Sequence, residues 1–201
     1  MPNRESGGAI SFYYSDWSST VPVREVRRKD DNKADPNLET RTYGLFSTCE
    51  RYMRAGVVKR GIEYVFFCTR REDVRVLTGY YRIGWFHKGP KISGYGGGDD
   101  FMLAASECRF VSPGFPLRDL KGYLNGVRLD KRFRTFKYID AETAKKLLDL
   151  LREAPDATEE YVSEIRRLES LNVTEFGYAY KNWKRVSGFD WESARRYLEG
   201  T

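Results

Sequence analysis

Residues 63–85 read EYVFFCTRREDVRVLTGYYRIGW, and the fold turns on them. Glu63–Thr69 is a nearly continuous apolar run of strand length, the pattern of a strand buried at the centre of a sheet. Arg70–Asp73 is a polar turn. Arg75–Trp85 is rich in β-branched and aromatic residues and reads as a second strand, so the two form a β-hairpin. Gly79 falls inside that second strand, where glycine marks a bend or a close backbone approach. Tyr80 and Tyr81 are consecutive and point to opposite faces.

Working outward, residues 9–14 (AISFYY) are β-prone and predict a first strand, while residues 24–42 carry almost no apolar side chain and predict a long polar loop. Ser47-Thr48-Cys49-Glu50 has the form of a capping box, and Gly56 is a natural stop, which predicts a short helix over 48–55. Residues 88–100 are a glycine-rich loop. Glu107–Ser112 predicts a strand stopped by Pro113-Gly114, residues 117–124 a short turn or helix, and Arg132–Ile139 a last strand. The apolar period then switches from 2 to 3.6. Asp140 caps a helix with Ala144, Leu147, Leu148 and Leu151 on one face, Thr158 caps a second with Tyr161, Ile165 and Leu168, and Asp190 caps a third with Trp191, Ala194 and Leu198. The expectation is an α+β protein: a small mixed β-barrel over residues 1–139 and a helical C-terminal extension, 140–201, packed on it.

Composition narrows the chemistry. The chain has 201 residues, 35 Lys+Arg and 29 Asp+Glu, a formal charge of +6. Residues 1–140 hold 25 of the basic residues against 17 acidic ones, so a basic body precedes a slightly acidic tail. That distribution suits a polyanion facing the body, or a merely well-solvated surface. One histidine, His87, and three scattered cysteines (Cys49, Cys68, Cys108) leave little for a zinc site, and no cofactor is implied. An odd number of dispersed thiols, no membrane-length apolar run and no hydrophobic signal core predict a soluble, cytoplasmic protein with no membrane partner.

Residues 43–48, YGLFST, open the early helix and are followed by EYVFFCT, a turn and RVLTGYYRI. In order and pattern these parts resemble the PUA-like superfamily, and within it most the YTH domains, which read N6-methyladenine. EVE domains and the N-terminal readers of some modification-dependent restriction systems share the plan. In YTH domains a segment like YGVWAST precedes a helix, and a later strand resembles residues 101–120, FMLAASECRFVSPGFPLRDL. The similarity covers residues 43–120, with a looser match at 9–17; residues 125–201 have no counterpart. The family's cage tryptophan is Phe46 here. A cage must then be completed by other residues, or the ligand is not a methylated adenine.

The candidate base-binding residues are Trp17, Phe46 and Trp85 as stacking walls, Ser15 and Asp16 as edge hydrogen-bonding groups, and Ser47 and Thr48 beside them. Aromatic faces hold an extruded base by stacking. Trp17 could instead cover one end of the barrel, and Trp85 could belong to the core. For phosphates the candidates are Arg128, Lys131, Arg132, Arg134 and Lys137, interleaved with Phe133 and Phe136, and a second set with Arg51, Arg54, Lys59 and Arg60. The alternative for the first set is an edge strand guarded by charge. Together these predict a nucleic-acid-binding module, for DNA or RNA, that holds a modified base, in place or flipped from its strand, and needs no catalysis. It could stand alone or serve a larger restriction or repair machine. Two rivals remain: a nucleotide- or RNA-processing enzyme using Asp99, Asp100 and Glu107, and a protein-interaction domain docking through its helical C-terminus.

Overall fold

A computed structural model of the chain describes residues 7–13, 15–16, 21–24, 45–48, 55–88, 101–124, 127 and 136–171. Its strands are β1 (Gly8–Phe12), β2 (Ser15–Asp16), β3 (Val23–Arg24), β4 (Leu45–Thr48), β5 (Tyr64–Arg71), β6 (Val74–Lys88), β7 (Phe101–Pro116) and β8 (Phe136–Ile139). Two helices follow, α1 (Ala141–Glu153) and α2 (Thr158–Leu171). Six strands form one mixed sheet in the order β4-β7-β6-β5-β1-β8, and β2 and β3 form a separate two-stranded ladder. The β1–β5 pair is parallel; the other ladders of the large sheet are antiparallel. The α+β class expected from the sequence is the one observed.

The apolar run of β5 is continuous because both sides of the strand are covered. Val65 and Phe67 join one cluster with Ala9, Tyr13, Val57, Ile62, Tyr81, Phe110 and the α2 residues Tyr161 and Val162. Phe66 and Cys68 join the other with Ile10, Leu77, Tyr80, Val111 and the α1 residues Ala144, Leu147, Leu148 and Leu151. Tyr80 and Tyr81 divide between the two clusters as alternation demands. Gly79 lies where β6 crosses closest to β7. A Cβ there would stand 2.4 Å from the Arg109 carbonyl oxygen and 2.7 Å from the Phe110 ring, so only glycine fits without movement.

Asp140 begins α1 as its composition suggests: its Oδ1 accepts the Thr143 backbone N–H at 2.7 Å. That bond is the largest cause holding the Asp140 carboxyl below the usual carboxylate range. A group whose folded pKa is depressed stabilises the fold above its unfolded pKa and stops doing so as pH falls through the folded one. Asp140→Ala is expected to remove about 1 kcal/mol at neutral pH, measured by thermal unfolding, with the gap to wild type closing on acidification. A gap that is the same in strong acid would refute the role of the charge.

Two local expectations are corrected. First, β7 is not stopped by Pro113-Gly114 but runs on to Pro116. Register passes from Gly79 opposite Phe110 to Leu77 opposite Phe115, so the intervening residues of β7 bulge out opposite Thr78, and a proline without an N–H is tolerated there. Ser47 and Thr48 lie in β4, where Thr48 pairs with Phe101; of the helix expected over 48–55, residues 49–54 lie outside the described residues and Ala55 is helical. A helical turn then covers Gly56–Arg60 and ends at Gly61, whose left-handed φ of 66° suits glycine. Of the last strand expected over 132–139, residues 136–139 are described and are strand. Second, Thr158 does not use its hydroxyl to cap its own helix. Its Oγ1 accepts the Phe110 N–H at 2.9 Å, while Asp156 accepts from the Thr158 N–H at 3.0 Å. Arg109 completes this joint, donating to the Leu151 and Ala154 carbonyls that end α1 and pairing with Asp156 at 2.9 Å.

Residues 25–44 and 89–100, where most of the two expected loops fall, and the helix expected from Asp190 lie outside the described residues. Among the described residues no helix is long and apolar enough to cross a membrane.

Candidate nucleic-acid interface

The central strand ends before β6 and β7 do. β5 begins at Tyr64, opposite Arg82, whereas β6 continues to Lys88 in ladder with β7 down to Phe101, and β4 adds to the far side of β7. The result is a three-stranded overhang. Its rows read Leu45–Ala104–Trp85, Phe46–Leu103–Phe86, Ser47–Met102–His87 and Thr48–Phe101–Lys88.

A bulge decides which aromatic faces which way. Register jumps from Ile83 opposite Ala105 to Trp85 opposite Ala104, leaving Gly84 as the extra residue. Without that insertion Trp85 would share the side of Ile83, which packs against the cluster of Val57, Ile62 and Ala105. With it, Phe86 returns to the Ala105 side, because bulges re-aim every residue beyond them. Phe86 is 46% exposed and Trp85 is half-buried. Phe46 is therefore in register with Phe86 and not with Trp85. The signal was present in the sequence: Gly84 inside a β-run, a position where glycine often marks a bulge.

On the same side of the sheet Arg60 meets Tyr138. The Arg60 guanidinium carbon lies 4.1 Å above the centroid of the Tyr138 ring, a stacked cation–π arrangement. Gly56 makes the approach possible, since a Cβ there would stand 2.6 Å from the Tyr138 ring. Tyr138 and Phe136 pack edge-to-face, with centroids 5.0 Å apart and planes at 89°, against the cluster that contains Ala9 and Val65. Arg60 ends the turn that follows Arg51 and Arg54, and Tyr138 ends the segment that follows Arg128–Lys137. No local signal joins residues 78 positions apart; the sheet order does. Lys59 and Arg60 are exposed, and Lys137, exposed too, alternates to the opposite side from Tyr138.

The other expected site residues fall as follows. Ser15 and Asp16 form β2, opposite Arg24 and Val23. Trp17, Arg51, Arg54, Arg128, Lys131, Arg132 and Arg134 lie outside the described residues, as do Asp99 and Asp100.

Glu107 is described, and it is engaged. Arg152 donates to both of its carboxylate oxygens, at 2.9 and 3.0 Å, and the Tyr80 hydroxyl donates to Oε1. Burial alone would raise its pKa, but the bonds from Tyr80 and Arg152, with the charges of Arg152 and Arg82, outweigh it and hold the carboxyl below its ordinary value. The same contacts act on Tyr80, where burial first and Glu107 second push the hydroxyl up to about 12. A carboxylate locked in a forked ion pair is suited to joining β6, β7 and α1, not to trading protons. Burial first, then the charges of Asp156, Glu107 and Glu159, push the Cys108 thiol up to about 11, which favours its neutral form. Among the described residues no three His, Cys, Asp or Glu side chains group closely enough to hold a metal ion.

No family model matches the chain, and no curated protein matches it. Among solved structures it is similar to the crystal structure of human THYN1 protein in complex with DNA containing 5-methylcytosine. The two are 16% identical, the match covers 75% of this chain and 100% of that one, and the TM-score is 0.43.

Proposed function

We propose that this chain is a nucleic-acid-binding module of the PUA-like, YTH/EVE-type kind. It holds one base, modified and flipped from its strand, against the aromatic row of the overhang, and it grips backbone phosphates with the flanking basic segments. The observation that carries the reading is that the Arg60–Tyr138 stack and exposed Phe86 share one side of the sheet. Charge and a stacking face are the two things that single bases and their phosphates require. Phe46 shares the Phe86 row, with Ser47 and Thr48 in the next two. Trp17 and the basic ribbon 128–137 complete the pocket and the phosphate contacts in this proposal. The engaged state of Glu107 favours binding over catalysis.

Fluorescence anisotropy with single- and double-stranded DNA and RNA tests this, with and without N6-methyladenine or 5-methylcytosine, at two salt concentrations. The expected result is tighter binding of one modified probe that persists at the higher salt. Uniform, salt-labile binding would remove the base pocket from the proposal. Absence of binding to every probe would overturn it in favour of a protein-interaction domain.

A further inference from the structure

The far end of β6 carries a second basic surface that the base site does not use. β5 and β6 are joined by the two-residue turn Glu72-Asp73, in which Glu72 has a left-handed φ of 53° and the Asp73 side chain is 93% exposed. Arg70 stands directly opposite Arg75 in the ladder, with Arg71 next to them opposite Val74. Like charges in direct cross-strand register weaken a ladder, so this pair is kept against the interest of the hairpin. Arg70 is fixed across the turn, donating through Nε to the Glu72 carbonyl at 2.6 Å and pairing with Asp73. Arg75 is directed toward the Phe12 ring, its guanidinium carbon 5.9 Å from the centroid. Beyond Pro116, which pairs with Val76, the chain adds Arg118, 70% exposed, and Lys121. Five cations thus surround this end of the sheet against the three carboxylates Glu72, Asp73 and Asp119.

Position gives the surface a meaning. By alternation from Phe67, Arg71 lies on the same side of the sheet as Phe86 and Arg60, while Arg70 and Arg75 lie on the other. Arg75 and Phe86 sit on one continuous strand, and at about 3.3 Å per residue they are roughly 30–35 Å apart. That is about one turn of B-form duplex, which repeats its groove face every 34–36 Å or so.

Resting on the nucleic-acid reading above, we propose that the β5–β6 hairpin end is a second phosphate-binding surface, which takes the backbone of the same duplex about one helical turn from the held base. The test is Arg70→Gln combined with Arg71→Gln, two exposed positions, studied in the full chain. Two duplexes carry the preferred base at their centre, one of about 8 base pairs and one of about 28, which bracket the roughly 10-pair turn. Only the longer reaches the hairpin. Expected is weaker binding of the long duplex with a salt slope smaller by about 1–2, since each neutralised phosphate contributes about 0.9. The short duplex should bind as it does to wild type, with an unchanged melting temperature showing that the hairpin still folds. An unchanged slope on the long duplex, or equal losses on both, overturns the second surface while leaving the base site standing. Wild-type protein that binds neither duplex overturns the underlying reading and this one with it.

Discussion

Phe67→Ala is expected to lower stability by about 3–5 kcal/mol, as the removal of a buried ring does when its neighbours cannot collapse into the space. Phe67 is wholly buried in the middle of the central strand. Its ring meets Tyr81 edge-on at 4.7 Å and 73°, stacks on Phe110 at 5.8 Å and 18°, and touches Tyr13 at 6.4 Å. Phe110 in turn packs on Tyr161 of α2 at 5.0 Å. The space left by the ring is therefore bordered by β1, β6, β7 and a helix, which the sheet holds apart. A domain of this kind has about 5–15 kcal/mol in total, so the variant would lose a large fraction of it. Urea unfolding monitored by tryptophan fluorescence reads the effect as a lower midpoint at unchanged slope. A loss under about 1 kcal/mol would mean that β5 does not occupy the centre of the core.

Phe86→Ala is expected to separate binding from stability. Half-exposed on the overhang, Phe86 contributes little to the core, so the melting temperature should hardly move. Stacking of a base on an aromatic ring is worth about 1–3 kcal/mol, which predicts roughly 5- to 150-fold weaker binding of the preferred probe. Trp85→Ala should behave the other way, with a larger effect on melting than on affinity, because Trp85 is half-buried and the bulge at Gly84 turns it from Phe86's side. If Trp85→Ala abolishes base discrimination and Phe86→Ala leaves it intact, the assignment of sides across the bulge is wrong.

The contrast between those two residues shows where reading the chain ends. Alternation along EYVFFCT and RVLTGYYRIGW was enough to predict a buried hairpin, the division of Tyr80 from Tyr81 and the close approach at Gly79. The amphipathic pattern after Asp140 was enough to predict α1, its cap and its buried face Ala144, Leu147, Leu148 and Leu151. These are short-range properties, because strand and helix periods and caps depend on residues within a few positions of one another.

What local pattern misjudged was always settled by a distant partner. Thr158 is drawn from its own helix to the Phe110 N–H. Glu107, which looked available for chemistry, is claimed by Arg152 from a helix 45 residues later.

The sequence by itself determined the α+β class, the central strand and the basic, aromatic character of the surface, because composition and periodicity act on every residue regardless of its neighbours. Only the tertiary structure decided that Arg60 lies over Tyr138, that Phe46 shares a row with Phe86, and that Arg70 stands opposite Arg75 at the hairpin end. Strand order and a one-residue bulge set those relations, and both follow from how the whole sheet satisfies its hydrogen bonds, which no single segment encodes.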